Sequence, residues 1–168
     1  LGALRQIAQT VEADLGPGAV PGAIAKSAER LIGFEMQFGP FAVAQLRLLA
    51  ELQTLAGGPG RTPPDLRLFI TDTLGDPYAA LTHLSAMTRP ISESRQQANA
   101  IKRGEPITVV IGNPPYKEKA KGRGGWIEAG TPGKVAAMAS WNPPKAWGVG
   151  AHSHNLKNLY VYFWRWAT

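Results

Sequence analysis

Ile107-Thr108-Val109-Val110-Ile111-Gly112-Asn113-Pro114-Pro115-Tyr116 is the stretch on which the reading of this chain turns. Its first half is continuous, apolar and β-branched, which suits a parallel strand buried on both faces. Two prolines in a row donate no backbone hydrogen bond, so a strand must end at Pro114-Pro115. Their carbonyls still accept. The Asn113 amide adds a further acceptor, and Tyr116 offers a flat ring face. These four residues form a small claw suited to a planar group that carries an amine.

Upstream of that stretch, helical and extended patterns alternate. Residues 1–15 read as a helix with Leu4, Ile7, Ala8, Val11 and Leu15 on one face, broken by Gly16-Pro17-Gly18. Residues 31–35 read as a strand ending in Glu35. Pro40 opens a second helix with Phe41, Ala44, Leu48 and Leu52 at helical spacing, widened by Val43, Leu46 and Leu49. Loop signals follow at Gly57-Gly58-Pro59-Gly60 and Pro63-Pro64. The next strand is 66–70, running into Thr71-Asp72-Thr73, and 92–103 is a polar helix with Ser92 as N-cap and Gly104 as its stop.

Downstream, 117–150 is rich in Gly, Lys, Pro and Trp and reads as a mobile loop. Residues 155–167 read as a closing helix with Leu159, Tyr160 and Phe163 facing inward. Helix, strand, helix, strand, helix, strand is the order of an α/β unit with a parallel sheet. Ligands of such sheets bind at the carboxyl ends of the strands, where Glu35, Asp72 and Asn113 stand.

At 168 residues the length fits one domain or a piece of a larger one. Eighteen Lys and Arg against twelve Asp and Glu give a net charge of +6, which favours a polyanionic partner. The absence of cysteine excludes disulfides, thiolate metal sites and a Cys nucleophile. No apolar run has the length of a membrane span and no signal-peptide pattern opens the chain, so a cytoplasmic protein away from the membrane is expected. His152 and His154, without a third ligand, read as surface residues rather than a metal site. Asn142-Pro143-Pro144-Lys145 has neither a strand before it nor an aromatic at its last place and reads as a plain loop.

Ile111-Gly112-Asn113-Pro114-Pro115-Tyr116 resembles motif IV of the adenine-specific, amino-directed DNA methyltransferases. Ile32-Gly33-Phe34-Glu35 with Gly39-Pro40-Phe41-Ala42-Val43-Ala44 resembles their motif II region, and Ile70-Thr71-Asp72-Thr73-Leu74 their motif III. Asn158-Leu159-Tyr160-Val161-Tyr162-Phe163 with Arg165-Trp166-Ala167 is similar to a segment downstream of motif IV. The likeness is to the type ISP and type IIG restriction-modification enzymes, in the gamma order of motifs.

The resemblance implies a Rossmann-like S-adenosylmethionine-dependent methyltransferase sheet, present in part, spanning 1–168. Its blocks are the cofactor-side motifs at 31–74, a catalytic strand and loop at 107–150 and a closing segment at 155–168. The implied substrate is an adenine flipped out of double-stranded DNA, methylated on its exocyclic amine. Asn113 and the Pro114 carbonyl would accept the amine hydrogens, with Pro115 and Tyr116 completing the motif and the Tyr116 ring stacking on the base. Glu35 would accept from the ribose hydroxyls of S-adenosylmethionine and Asp72 from its adenine amine. Helicase, nuclease and target-recognition regions are expected outside this chain.

The family's glycine-rich motif I has no counterpart before Leu1, so the chain reads as a fragment with weak cofactor binding of its own. Two alternatives stay open. Glutamine N5-methyltransferases of release factors also use Asn-Pro-Pro-Tyr, although the long 73–106 stretch departs from that compact family. The other is a non-catalytic fragment that binds DNA or a partner. Residue by residue, Glu35 also reads as a solvated strand-end acid, Asp72 as a turn cap, and Lys117, Lys119, Lys121 and Arg123 as a solvated loop or a phosphate contact.

Overall fold

In the computed structural model, which describes residues 1–58, 64–80 and 89–168, the chain is mixed α/β and mostly helical. It folds as two compact units, 1–71 and 72–168. Their boundary falls inside the 31–74 block. The Pro59-Gly60 and Pro63 loop signals lie outside the described residues.

The first unit holds α1 (Gly2–Leu15), α2 (Val20–Arg30), β1 (Ile32–Glu35), α3 (Phe38–Leu55) and β2 (Arg67–Ile70). Leu4 and Ala8 of α1 are one turn apart and buried, as the helical period requires, whereas Leu15 at the end of the expected face is exposed. The sequence reading passed over α2. This helix enters on Pro21 and buries Ile24 and Ala28, again four apart. With Leu52 of α3 these side chains make the core of the unit, edged by Ile7, Val20, Leu48, Leu55 and Leu66. A forked ion pair, Arg5 to Glu51 with both contacts at 2.7 Å, ties α1 to α3 at the surface.

Strands β1 and β2 pair in parallel, Ile32 opposite Arg67 through to Glu35 opposite Ile70. Phe34 and Phe69 face each other across the ladder, edge to face at 6.2 Å. Thr71 N–H donates to the Glu35 carbonyl at 2.9 Å, so both strands run out at the same edge of the sheet. This two-stranded sheet is the whole sheet among the described residues.

The expected third strand is a correction. Residues 105–117 carry no strand and join no ladder among the described residues. Val109 is 71% exposed and Ile111 91%. An apolar β-branched run states that a segment suits a sheet interior, but a strand exists only where a neighbour offers N–H and C=O groups to it. Among the described residues the parallel sheet is therefore present in its first two strands, short of a complete Rossmann-like order.

The second unit holds α4 (Arg89–Gly104), α5 (Gly125–Ala129) and α6 (Leu159–Ala167), with short 3₁₀ turns at Ala137–Trp141, Lys145–Trp147 and Gly150–Leu156. Here a second correction applies. The 117–150 stretch is not an open loop: Ala120, Ile127 and Met138 are buried with Leu74, Val161 and Tyr162 in the core of the unit. Gly124, Gly125 and Gly130 in it are packing residues. A Cβ on Gly125, which stands at φ +53°, would collide with the Leu74 carbonyl, and one on Gly124 would come within 2.7 Å of the Tyr162 ring. Ser92 lies inside α4 and is buried rather than capping it. In α6 the inward residues are Val161 and Tyr162, with Leu159 and Phe163 at the margin and Tyr160 exposed.

The burial pattern of α3 separates residues that the periodicity grouped together. Leu52 is fully buried and Leu46 is 68% exposed. Leu52→Ala is expected to destabilise the first unit by about 2–5 kcal/mol and Leu46→Ala by less than about 0.5 kcal/mol, read from urea midpoints at unchanged slope.

Candidate functional site

Asn113-Pro114-Pro115-Tyr116 lies in the second unit, beyond the end of α4. Lys117 N–H donates to the Pro115 carbonyl at 3.0 Å and closes a tight turn. Among the described residues no N–H is spent on the Pro114 carbonyl, and none hydrogen-bonds the Asn113 amide. The acceptors expected to grip an amine are thus unoccupied, at adjacent positions in the chain. Tyr116 is 82% exposed and its ring meets one other ring, Tyr160, at 6.4 Å between centroids.

What holds this turn is the start of α6. A helix leaves its first N–H groups without partners, and they must be met from outside. Leu159 N–H is met by the Lys117 carbonyl at 2.8 Å. Ala120 N–H returns a bond to the Lys157 carbonyl at 2.7 Å. Asn158, the N-cap of α6, makes no side-chain cap to its own helix; its Oδ1 accepts from Lys119 N–H at 3.2 Å instead. Lys119 takes a left-handed backbone, φ 50°, to allow this.

Glu35 belongs to the first unit. Its carboxylate accepts from Gln37 N–H at 2.8 Å, just ahead of α3, so the strand-end acid braces the strand-to-helix turn. Asp72 opens the second unit directly after Thr71. Its Oδ1 accepts from Leu74 N–H at 3.0 Å, the turn-cap arrangement, while its carbonyl accepts from Gly75 N–H at 3.0 Å and from Lys102 Nζ at 2.6 Å. Arg103, next along α4, holds the Pro77 carbonyl at 2.7 Å. The last turn of α4 therefore fixes the 72–77 turn with two cations. Sequence reading missed both. The signal available was Lys102-Arg103 at a helix end, which has many bland explanations.

A shallow groove of about 650 Å³ lies elsewhere in the unit, lined by Asp76, Lys121, Gly122, Trp126 and Glu128 among others. Of the residues singled out in the sequence, Lys121 lines it, and Glu35, Asp72 and Asn113 through Tyr116 do not. Glu128 accepts from Gly122 N–H at 2.8 Å and Gly124 N–H at 3.0 Å. Burial is the largest influence on its carboxyl and pushes it up. The two amides, helped by Tyr162 and Lys157, outweigh burial and bring it below the usual carboxylate range. The Tyr162 hydroxyl beside it is buried outside hydrogen-bond geometry, and burial, then Glu128, push its pKa up. Among the described residues no group of three or more ligating side chains forms a metal site, and no helix is long and apolar enough to cross a membrane.

Burial pushes the Lys102 ammonium down to about 8, against the opposing pull of Asp72. Below pH 8 both the folded and unfolded chains carry this proton, and folding bears the full cost of burying the charge. Between pH 8 and the ordinary lysine value of 10.5 the unfolded state binds more protons, so stability rises with pH. Above that range the cost is gone. Denaturant midpoints across pH 7–11 are expected to show this rise in the parent and a flatter profile in Lys102→Met.

No protein-family model matches the chain, and neither does any curated protein or solved structure.

Proposed function

We propose that this chain is a piece of an S-adenosylmethionine-dependent amino methyltransferase acting on the exocyclic N6 amine of adenine in DNA. One observation carries the reading. The turn closes on the Pro115 carbonyl and leaves the Asn113 amide and the Pro114 carbonyl without described partners, next to an open Tyr116 ring. Adenine's amine is a poor nucleophile because its lone pair is delocalised into the ring. Two acceptors holding its hydrogens favour a tetrahedral nitrogen and localise that pair, a stabilisation that grows towards the transition state. Tyr116 stacks on the extruded base, and S-adenosylmethionine, when bound, would supply the methyl group to the nitrogen. The amine proton then leaves to solvent.

In this reading Glu35 and Asp72 bind the cofactor, the first at its ribose hydroxyls and the second at its adenine amine. The likeness of Ile32-Gly33-Phe34-Glu35 and Ile70-Thr71-Asp72-Thr73-Leu74 to motifs II and III supports these roles. The local bonds that both carboxylates already make leave acceptor capacity, since each oxygen has two lone pairs. The basic residues after the motif, Lys117, Lys119 and Lys121, are exposed and suit phosphate contacts on double-stranded DNA.

A second reading has its own support. The unladdered 107–111 run presents Val109 and Ile111 to solvent, which favours a non-catalytic piece that binds a partner or DNA. Calorimetric titration with S-adenosylmethionine separates the two: heat of binding in the full gene product supports the enzyme, and none supports the binding piece.

The motif itself is tested by single-turnover methyl transfer in the full gene product, with duplex DNA and a release factor as competing acceptors. Asn113→Ala is expected to lower turnover on DNA by on the order of 100-fold with little change in DNA affinity. Tyr116→Phe keeps the ring face and should be mild, while Tyr116→Ala should weaken retention of the extruded base as well as turnover. Near-normal methylation by a folded Asn113→Ala variant overturns the assignment. Transfer to the release factor alone moves the substrate to a glutamine carboxamide.

A further inference from the structure

We propose that Tyr160 is the positioning residue of the Tyr116 ring, and that the two rings together form one stacking face for a nucleobase taken out of its stack. The proposal rests on the reading of Tyr116 as the base-stacking residue, and it assigns to Tyr160 a role which that reading does not contain.

Three observations lead to it. The first is exposure. Tyr160 faces outward at 37% exposure on a helix whose neighbours Val161 and Tyr162 are buried, so the core does not account for its ring. The second is contact. The Tyr160 and Tyr116 rings stand 6.4 Å apart, tilted by 43°, a separation and angle at which aromatic pairs attract. The third is the joint between their backbones. The Lys117 carbonyl and Leu159 N–H are directly bonded, and each is the immediate chain neighbour of one of the two tyrosines. Ala120 to Lys157 and Lys119 to Asn158 add two further bonds. A ring on an otherwise exposed turn is thus indexed to a helix.

The physical consequence is a saving in ordering. A lone exposed tyrosine samples several rotamers, and stacking on a base must select one. A neighbouring ring that attracts it narrows that choice before the ligand arrives. It also extends the apolar face against which the purine lies. Lys117, Lys119 and Lys157 around the joint supply positive charge for the ligand's phosphates, opposed by Glu118 beside them in the chain and by Glu128, whose carboxylate feels Lys157. The ligand class is a purine base in a locally single-stranded nucleic acid.

The probe is a single-stranded oligonucleotide carrying one 2-aminopurine, whose emission falls when it stacks on an aromatic ring. The 168-residue chain is titrated into it at low salt, and binding and quenching are read together. The parent should bind and quench. Tyr160→Leu, which keeps apolar bulk on α6 without a ring, should lose roughly tenfold in affinity and most of the quench, and Tyr160→Phe should restore both. Circular dichroism confirms folding, and the phenylalanine rescue separates a ring requirement from general damage. Tyr160→Leu that binds and quenches like the parent, while Tyr116→Ala loses both, overturns the proposal and leaves the base-stacking role of Tyr116 standing. Parental behaviour in both variants, or a parent that neither binds nor quenches, overturns the proposal together with that role.

Discussion

The bond between the Lys117 carbonyl and Leu159 N–H is the constraint on which the arrangement of the site depends. It answers two needs at once. Helix α6 starts without a side-chain cap of its own, so its first amide needs an acceptor. The Asn113-Pro114-Pro115-Tyr116 turn leaves a segment with no sheet partner, so it needs an anchor. The same peptide group serves both, and Asn158 reinforces it by giving its side chain to Lys119 instead of to the helix. A left-handed lysine is the local cost of the fit.

Behind that joint lies the core of the second unit, and its composition explains the glycines. Tyr162 presses its ring against Gly124, and the Leu74 carbonyl lies where a Cβ of Gly125 would stand. Glu128 gathers the amides of Gly122 and Gly124 with one carboxylate oxygen, turning a flexible run into a held one. The packing of α6 on α5 therefore fixes the platform from which Tyr160 points outward.

A comparable division of labour surrounds Asp72. Its side chain shapes the turn, its carbonyl receives Lys102, and Arg103 takes the carbonyl of Pro77. Half-burying the lysine is unfavourable for its charge, and the nearby aspartate offsets part of that. In the proposed enzyme the reward is a defined carboxylate at the end of β2. Glu35 gains a similar definition from Gln37 N–H at the end of β1.

Local pattern was sufficient for much of this protein. Helices α1, α3 and α4 and strands β1 and β2 follow from periodicity and from Gly and Pro punctuation, which depend on neighbours a few positions away. The turn at Asn113 through Tyr116 was legible for the same reason, since a Pro-Pro pair carries its backbone constraint within itself. Three features were settled only by tertiary structure. Residues 107–111 have the composition of a buried strand, yet a ladder needs a second chain segment, and none of the described residues supplies it. Residues 117–150 have the composition of a loop, yet Ile127 and Met138 find a core because α6, far along the sequence, brings Val161 and Tyr162 to them. Tyr160 belongs to a helix whose inward face periodicity misplaced by one residue. Only the packed helix decides which side of Val161 meets the core and which ring is left beside Tyr116.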